Sequence, residues 1–476
     1  MNIKTKGILS VIGACFLHIL IGSYHTWSRV LDYYLSYLHN HDNPSITLSY
    51  SIIFIPFIRL IYTSALPLGV IITSKLGIYI PCIISLVFLL LSHIILIFSV
   101  NLILVSLAFI LFGIGIGLSY IPIIMNSWSY FPKNKGRIVG IILTCFGSSS
   151  FMLKFIADWL INPNNEEINP KTGYYDPQIA DNFINYLKFL VGMFLVLGIA
   201  GILIINPWSN QLLAEVAATQ KGNNVRYNSN NSYYKLVEMN NNENDNIRDT
   251  VTSGFFGGAE NIKLGLKSTP FSQLVFTFLL SNMFNSLHIS DHITFGEKNK
   301  DNPEFLSNNI LIWNIANGCF RLFWGEMLDN FNFKKIYIFS LLMQIFTFNT
   351  FYFVSHITSV YFLYNFLFAL FSSCTYVVMP YSFYKIFGMK NGGMYFGISQ
   401  FLSSFGSFGI PFLINYLEGT LIHYLILYIL SSVTKMFASI VLCFLEEKRF
   451  DYGQKEKEQM IKNRFSTSIN STNSNF

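Results

Sequence analysis

Long apolar segments alternate with short polar breaks along most of the chain. A helix needs about 20 mainly apolar residues to cross a bilayer core, and twelve segments reach that length, so the pattern predicts twelve transmembrane helices. We place these spans at 7–29, 46–72, 77–99, 102–125, 137–160, 184–205, 270–291, 306–328, 335–355, 358–382, 391–415 and 421–445.

One hydrophilic stretch, NNVRYNSNNSYYKLVEMNNNENDN, separates the sixth span from the seventh. Its composition cannot bury enough apolar surface to fold alone. We therefore predict an all-α polytopic membrane protein with 12 transmembrane helices in two six-helix halves. The expected parts are an N-terminal half at 1–205, an Asn-rich cytosolic linker at 206–268, a C-terminal half at 269–446 and a cytosolic polar tail at 447–476.

The positions of Lys and Arg predict the orientation, because cytosolic loops carry most of these residues. With both termini inside, the cytosolic segments hold 22 of the 31 Lys and Arg residues, and the opposite loops hold five. We therefore expect both termini in the cytosol. Only six residues precede the first span, too few for an organellar leader, so the plasma membrane is favoured over an organelle membrane.

Composition excludes several functions. Of the 476 residues, 52% are apolar and 12% are charged, against about 25% charged in soluble domains, which excludes a soluble enzyme. The six cysteines show neither disulfide nor zinc spacing, and no basic stripe predicts nucleic-acid binding. No catalytic or metal-ligating constellation is present, so we expect neither catalytic residues nor a metal or cofactor, and a monomer in the lipid bilayer.

Two loops carry related motifs at corresponding places in the two halves. NGCFRLFWGEMLDNFNFKK (317–335) resembles the loop signature GxxxD(R/K)xGRR of the major facilitator superfamily, and PLGVIITSKLG (67–77) resembles it more weakly. Asn330, Asn332 and Ser74 depart from the signature. The resemblance implies conformational-switch loops, whose matching residues are Lys75, Gly77, Gly325, Asp329, Lys334 and Lys335.

A narrower resemblance lies in helices four and five. GIGIGLSYIP (113–122), WSYFPKNKGRIVG (128–140) and CFGSSS (145–150) look like the oxalate/formate antiporter and monocarboxylate porter branch of the superfamily. That resemblance implies that Arg321, in helix eight, binds a substrate carboxylate. The second basic residue of oxalate exchangers is missing from ISQFLSSFGSFG (398–409) in helix eleven.

A charge retained at membrane depth indicates function, because inserting it costs at least about 2.5–3.5 kcal/mol. Four basic residues lie within the predicted spans: Arg59, Lys154, Arg321 and Lys435. The superfamily architecture implies that the helices carrying the first three are able to face a substrate, whereas helix twelve is normally peripheral. We expect Lys435 to snorkel or pack against a neighbouring helix.

Structural alternatives remain for the three candidates. Arg321 has Asp329 or Glu326 as a potential ion-pair partner at its helix end, and Arg59 would suit an ion pair at an outer gate. Lys154 lies four residues before Asp158, a spacing at which the two side chains neutralise each other on one helix face.

Histidines are candidates for proton coupling, because they titrate near neutral pH. His25 lies in helix one, and a cluster near the outer end of helix seven comprises His288, Asp291 and His292, for which a solvated helix end is the alternative. Four aromatic residues are candidates for the wall of a substrate pocket: Tyr24, Trp27, Tyr120 and Tyr376.

These features predict a secondary active transporter that moves a small organic anion, such as pyruvate, lactate or formate. Transport would occur by proton symport or anion exchange through alternating access, with Arg321 on the carboxylate and Arg59 or Lys154 adding positive potential. One alternative is a carrier of amino acids or other zwitterions, with Asp291 or an aromatic cage on the amine. The other is a transporter-like sensor or scaffold.

Overall fold

The computed structural model describes residues 2–41, 46–208, 259–283, 303–354, 357–409 and 421–450. Within these ranges the chain consists of helices and connecting loops, without a β-strand. Eight helical stretches of the described residues are long and apolar enough to cross a membrane.

The N-terminal half contains one helix for each predicted span except the first, which is divided at Ser23. A short 3₁₀ turn, Leu48–Tyr50, precedes the third helix. The helices are α1 (Ile3–Gly22), α2 (Tyr24–Asn40), α3 (Ser51–Leu76), α4 (Tyr79–Phe98), α5 (Leu102–Tyr130), α6 (Lys135–Ile161) and α7 (Pro177–Ile204).

The described part of the C-terminal half is also helical. Its helices are α8 (Ala259–Leu266), α9 (Thr269–Met283), α10 (Pro303–Asn330), α11 (Phe333–Val354), α12 (Thr358–Phe408) and α13 (Leu421–Cys443). The tenth and eleventh predicted spans both lie in α12, where Gly388 has a φ of +79° and divides the helix into two parts. Only glycine adopts this backbone conformation readily, so Gly388 marks the turn between the two spans.

The first predicted span ends too early. The prediction stops at residue 29, whereas α2 continues to Asn40. Polar residues such as Asp32 and Ser36 lower the hydropathy of this part, but Leu31, Leu35 and Leu38 are fully buried. The stripe of buried leucines packs α2 against α6 and α7, so tertiary contacts extend the helix beyond the apolar run.

The two halves meet along two pairs of helices, α6 with α10 and α3 with the second part of α12. In the second pair, the Thr63 hydroxyl donates to the Ser404 hydroxyl at 3.1 Å, and Gly397 packs against Pro67. These contacts place α3, α6, α10 and α12 around the middle of the molecule.

One face of the molecule, which we call side A, carries both described ends of the chain. Ser10 near the N-terminus donates to the Asn206 carbonyl at 3.0 Å, and the Phe450 amide donates to the Ile386 carbonyl at 2.8 Å. The loops before α6 and after α10 lie on the same face, because Gly136 contacts Asp329. Side A is therefore the face that the distribution of Lys and Arg predicts to be cytosolic.

Candidate functional site

Two arginines from opposite halves converge near the middle of the molecule. Arg321 lies about 14 Å from the side A end of α10, at a rise of 1.5 Å per residue. Arg59 lies on α3, and both guanidinium groups act electrostatically on the His25 ring. We call the residues around them the central cluster, which consists of Tyr24, His25, Arg59, Tyr62, Tyr120, Phe146, Asn317, Arg321 and Tyr376.

Arg321 is 2% exposed, and its hydrogen bonds go to neutral oxygens. Its Nε donates to the Asn317 carbonyl at 3.2 Å, and one terminal nitrogen donates to the Asn317 side-chain oxygen at 2.7 Å. The other terminal nitrogen donates to the Leu143 carbonyl of α6 at 3.1 Å. A guanidinium group has five N–H donors, so two remain beyond these three bonds. Arg321 thus contacts both halves and retains donors for a ligand.

Arg321 does not form the ion pair with Asp329 or Glu326 that the sequence offered as the alternative. Glu326 instead pairs with Arg137 of the N-terminal half through two 2.5 Å contacts. Asp329 accepts from the backbone amides of Gly136 and Arg137. Among the described residues, no carboxylate pairs with Arg321.

Arg59 lies among phenol groups. Its guanidinium group lies within electrostatic range of Tyr62, Tyr24 and Tyr376, and its Nε has no hydrogen-bond partner among the described residues. The side chain keeps part of its surface accessible. No carboxylate among the described residues pairs with Arg59 either, so the central cluster carries two positive charges.

Aromatic rings surround these charges. The Arg321 guanidinium carbon lies 4.6 Å from the centre of the Tyr376 ring and 5.8 Å from that of Phe146. Phe146 also contacts Tyr120 and His25, with ring centres 5.2 Å and 4.8 Å away. A guanidinium over an aromatic face is attracted by the ring's negative face, so these rings fix the orientation of Arg321.

His25 also lies in the central cluster. Its Nε2 has no hydrogen-bond partner among the described residues, and its ring contacts Tyr24 at 5.2 Å between centres. The structure thus brings together five of the predicted site residues: Arg321, Arg59, His25, Tyr24 and Tyr120. Tyr376 joins them through its contact with Arg321.

Trp27, predicted as part of the pocket wall, lies apart from the central cluster. It is 1% exposed and packs inside the N-terminal half against Phe109 and His93, at ring distances of 5.1 Å and 6.0 Å. Successive helical residues are about 100° apart, so Trp27 lies about 200° around α2 from His25. The two side chains therefore face opposite directions.

Lys154 forms the ion pair on one helix face that the sequence offered as the alternative to a substrate-binding role. Its Nζ pairs with Asp158 one turn along α6, and the two charges neutralise each other. We therefore leave Lys154 out of the proposed site.

The fourth basic residue, Lys435, is fully buried in the C-terminal half. Its Nζ bonds the Ser431 hydroxyl at 2.8 Å and lies 4.5 Å from the centre of the Phe348 ring. This packing against a neighbouring helix agrees with the expectation from the sequence. The proton-coupling candidates His288, Asp291 and His292 lie outside the described residues.

The predicted switch-loop residues lie on side A. Asp329 and Gly325 contact the start of α6 in the other half. The Lys334 Nζ donates to the carbonyls of Cys443 and Leu445 at 2.7 Å and 3.0 Å. The remaining three lie at the ends of helices: Lys75 and Lys335 are exposed, and Gly77 ends α3 with a φ of +80°.

Sequence reasoning missed Tyr62, Asn317 and Phe146. Tyr62 lies three residues after Arg59 and Asn317 four residues before Arg321, spacings that place each pair on one helix face. That spacing was a usable signal. Phe146 offered none, because it is one of 47 phenylalanines and only the packing of α6 against α2 and α5 brings it to the cluster.

Comparison with known proteins agrees with this architecture. The sequence profile of the Major Facilitator Superfamily matches residues 269–474. The proton:xylose symporter XylE shares 12% sequence identity, with a TM-score of 0.60 over 94% of this chain and 97% of that chain. The E. coli fucose:proton symporter FucP shares 13% identity, with a TM-score of 0.60 over 91% of this chain and 98% of that one.

The chain has the major facilitator fold. The predicted all-α architecture of 12 helices in two halves is thereby confirmed. No curated protein sequence matches the chain, and no comparison supports the narrower oxalate/formate branch.

The fold agrees with the apolar helices of the described residues, eight of which are long enough to cross a membrane. The chain is an integral, multi-pass membrane protein. In this fold the two halves rock around a site between them. The central cluster, with residues from both halves, lies where such a site is expected.

Proposed function

We propose that this chain is a secondary transporter of a small organic anion, with a monocarboxylate as the leading substrate class. The observation that carries the proposal is the pair of arginines in the central cluster. Arg59 and Arg321 have no carboxylate partner among the described residues, and charge at membrane depth is retained for function. A substrate carboxylate would supply the missing negative charge.

Arg321 is suited to bind that carboxylate. A planar guanidinium group holds a carboxylate with two parallel hydrogen bonds, and Arg321 has two N–H donors beyond those bonded to Asn317 and Leu143. Its contact with Leu143 in the opposite half has a further consequence. A substrate that draws the guanidinium away from this carbonyl would weaken a bond between the halves.

His25 would couple a proton to the substrate. A positive imidazole ring beside Arg59 and Arg321 is repelled by both guanidinium groups, and a bound carboxylate offsets part of that repulsion. Substrate binding would therefore favour protonation of His25, and protonation of His25 would favour substrate binding. Symport requires this reciprocal linkage. Anion exchange would need no such protonation.

The experiment is uptake by the full chain in proteoliposomes. Labelled pyruvate, lactate, formate and oxalate are offered with and without an inward proton gradient, and with and without unlabelled anion inside. We expect saturable uptake of at least one monocarboxylate. Gradient-stimulated uptake that His25→Gln abolishes supports symport, whereas uptake that depends on internal anion supports exchange.

Arginine variants test the binding role. Hydrogen bonds to charged groups are worth about 1.5–3 kcal/mol, so Arg321→Lys, which keeps the charge and loses the planar fork, should lower kcat/KM by about tenfold to a hundredfold. Lys188→Gln, an exposed position on α7, is the control and should retain the wild-type rate. Wild-type kinetics in Arg321→Lys would contradict the assignment.

Competitors separate the other substrate classes. If amino acids inhibit pyruvate uptake at lower concentrations than lactate does, the zwitterion carrier is favoured. Transport of xylose but of none of the acids would favour a sugar carrier. Saturable binding without transport of any solute would favour a sensor.

A further inference from the structure

A second histidine lies directly behind the central cluster. His18 of α1 is fully buried, and its ring centre lies 5.4 Å from that of Tyr120 and 6.2 Å from that of Phe146. Both neighbours belong to the central cluster, whereas His18 has no part in the binding role proposed above. Its place next to a charged site makes its protonation state relevant to transport.

The hydrogen bonding of His18 shows which ring nitrogen carries the hydrogen atom. Its Nδ1 lies 3.0 Å from the Ala14 carbonyl oxygen, and a carbonyl only accepts, so Nδ1 is the donor. The other nitrogen, Nε2, is buried and has no hydrogen-bond partner among the described residues. In a neutral imidazole that nitrogen is an acceptor, and native proteins rarely leave a buried polar atom unsatisfied. His18 therefore has an open acceptor inside the protein.

His18 and His25 lie on one face of the first membrane span. They are seven residues apart, which returns the side chain to nearly the same direction about 10 Å further along the axis, and Ser23 between them keeps helical backbone angles. The Nε2 of His25 also has no partner among the described residues, and its ring centre lies 4.8 Å from that of Phe146. The Phe146 ring thus contacts two histidines with open nitrogens. Because α1 begins on side A, His18 is the one nearer to that side.

The two imidazole rings have different electrostatic surroundings. Arg59 and Arg321 act on His25, so a proton on His25 is repelled once a substrate carboxylate has left. His18 interacts instead with backbone carbonyls of α1 and of Tyr120, which would accept a hydrogen bond from a protonated ring. Repulsion by the guanidinium groups is therefore a property of His25 and not of His18.

The titratable side chains around His18 are of types that are ordinarily neutral at pH 7. They are the Tyr120 phenol on α5 and the thiols of Cys15 and Cys145, which lie beside each other on α1 and α6. The helix on the other side of α1 is α7, which packs against it through Gly201. A proton released by His25 would thus reach a neutral environment at His18.

We propose that His18 carries the symported proton between His25 and side A, an inference that rests on the proton symport proposed above. The proton leaves Nε2 of the His25 imidazolium, passes through water when the Phe146 ring moves aside, and binds Nε2 of neutral His18. His25 becomes neutral and His18 becomes an imidazolium, so the total charge is unchanged. When the halves open on side A, Nε2 of His18 releases the proton to the solvent there.

The test separates proton-coupled uptake from exchange, with the full chain in proteoliposomes. Labelled pyruvate is the probe, with lactate and formate in parallel assays, and pyranine dye inside the vesicles reports proton entry. Net uptake driven by an inward proton gradient requires a proton to leave the carrier in every cycle. Exchange of labelled for unlabelled substrate does not, because His25 can stay protonated throughout.

His18→Gln should lose the first activity and keep the second. Glutamine retains hydrogen-bonding groups but cannot take up the proton. We expect gradient-driven uptake and the dye response to fall by at least about tenfold, and exchange to stay within about twofold, since a positioned proton carrier typically contributes about a hundredfold or more. Retained exchange shows that the variant folds and binds substrate.

His93→Gln on α4 is the matched control. His93 is also fully buried, its Nδ1 lies 2.9 Å from the Leu89 carbonyl oxygen, and its Nε2 has no partner among the described residues. Its ring lies 6.0 Å from Trp27 and 4.8 Å from Phe194 between centres, in the core of the N-terminal half and outside the central cluster. Gradient-driven uptake by His93→Gln should therefore equal that of the wild type.

The outcomes distinguish this inference from the proposed function. Wild-type gradient-driven uptake in His18→Gln, equal losses in His18→Gln and His93→Gln, or loss of exchange together with uptake in His18→Gln would overturn the role of His18 and leave the transport of monocarboxylates standing. Exchange by the wild type without any gradient-driven uptake would overturn symport and this inference together. Absence of transport of all three acids by the wild type would overturn the proposed function as well.

Discussion

At the scale of single residues, the three cations Arg59, Arg321 and Lys435 have different surroundings. Arg59 and Arg321 lie between the halves among phenol groups and amide oxygens, with donors left for a ligand. Lys435 lies within one half, against Phe348 and the Ser431 hydroxyl. A buried charge without a carboxylate partner is costly, and the three cations therefore have different consequences for stability and transport.

Replacing Lys435 with methionine should stabilise the protein. Methionine fills a similar volume without a charge to desolvate, and apolar replacement of buried charged groups is often stabilising by about 1–4 kcal/mol. We expect Lys435→Met to raise the midpoint of thermal unfolding in detergent and to leave uptake unchanged. Ser431→Ala serves as the control for loss of the hydroxyl alone. Lost uptake with a raised midpoint would show that Lys435 has a functional role.

At the scale of helices, the contact between α6 and α10 depends on glycine residues. A Cβ on Gly140 would lie 2.9 Å from the Arg321 carbonyl oxygen and 3.1 Å from the Gly325 Cα. Gly318 is equally close to the backbone of Ser148. The neighbouring atoms are backbone and cannot turn aside, so the close approach of the two halves requires glycine.

Gly140→Val should therefore prevent this contact. The branched side chain would push α10 away from α6 and displace Arg321, so we expect uptake to fall about tenfold or more, as for misplacement of a binding group by about 1 Å. The matched control is Gly192→Val on α7, where a Cβ meets no atom within 4 Å. Both variants are compared at equal membrane expression, and equal uptake would contradict the steric argument.

At the scale of the whole molecule, polar contacts hold the halves together on side A. The Arg137–Glu326 pair is about half exposed, with side chains 48% and 42% accessible, and solvent screens such pairs so that they contribute little to stability. Asp329 caps the start of α6 with two backbone hydrogen bonds and adds a negative charge near the positive end of the helix dipole. The Asp329 cap is therefore a stronger contact between the halves than the Arg137–Glu326 pair.

Asp329→Asn should open side A more than Glu326→Gln does. Loss of about 1 kcal/mol at the helix terminus corresponds to about a fivefold change in the ratio of closed to open molecules. The exposed ion pair should give a smaller change, because solvent screens it. Spin labels at residues 75 and 335 measure both ratios. The reverse order would mean that the ion pair, and not the cap, keeps side A closed.

The sequence determined the order of the helical spans and the residues that carry charge into the membrane. Apolar runs of sufficient length have few alternatives in a bilayer, and charged residues stand out against them, so the sequence alone identifies Arg59 and Arg321 as candidates. The extension of α2 was not predictable from hydropathy, because its buried face is a narrow stripe of leucines in a polar segment.

Tertiary structure alone decided which of these residues meet. Trp27 and His25 are two positions apart, yet one lies in the core of the N-terminal half and the other beside Arg321. A cavity of about 240 Å³ on side A is likewise lined by the start of α6, the bend of α12 and the segment after α13. Hydropathy depends on each segment by itself, whereas a site depends on the rotation and packing of helices far apart in the chain, and those are set only when the two halves assemble.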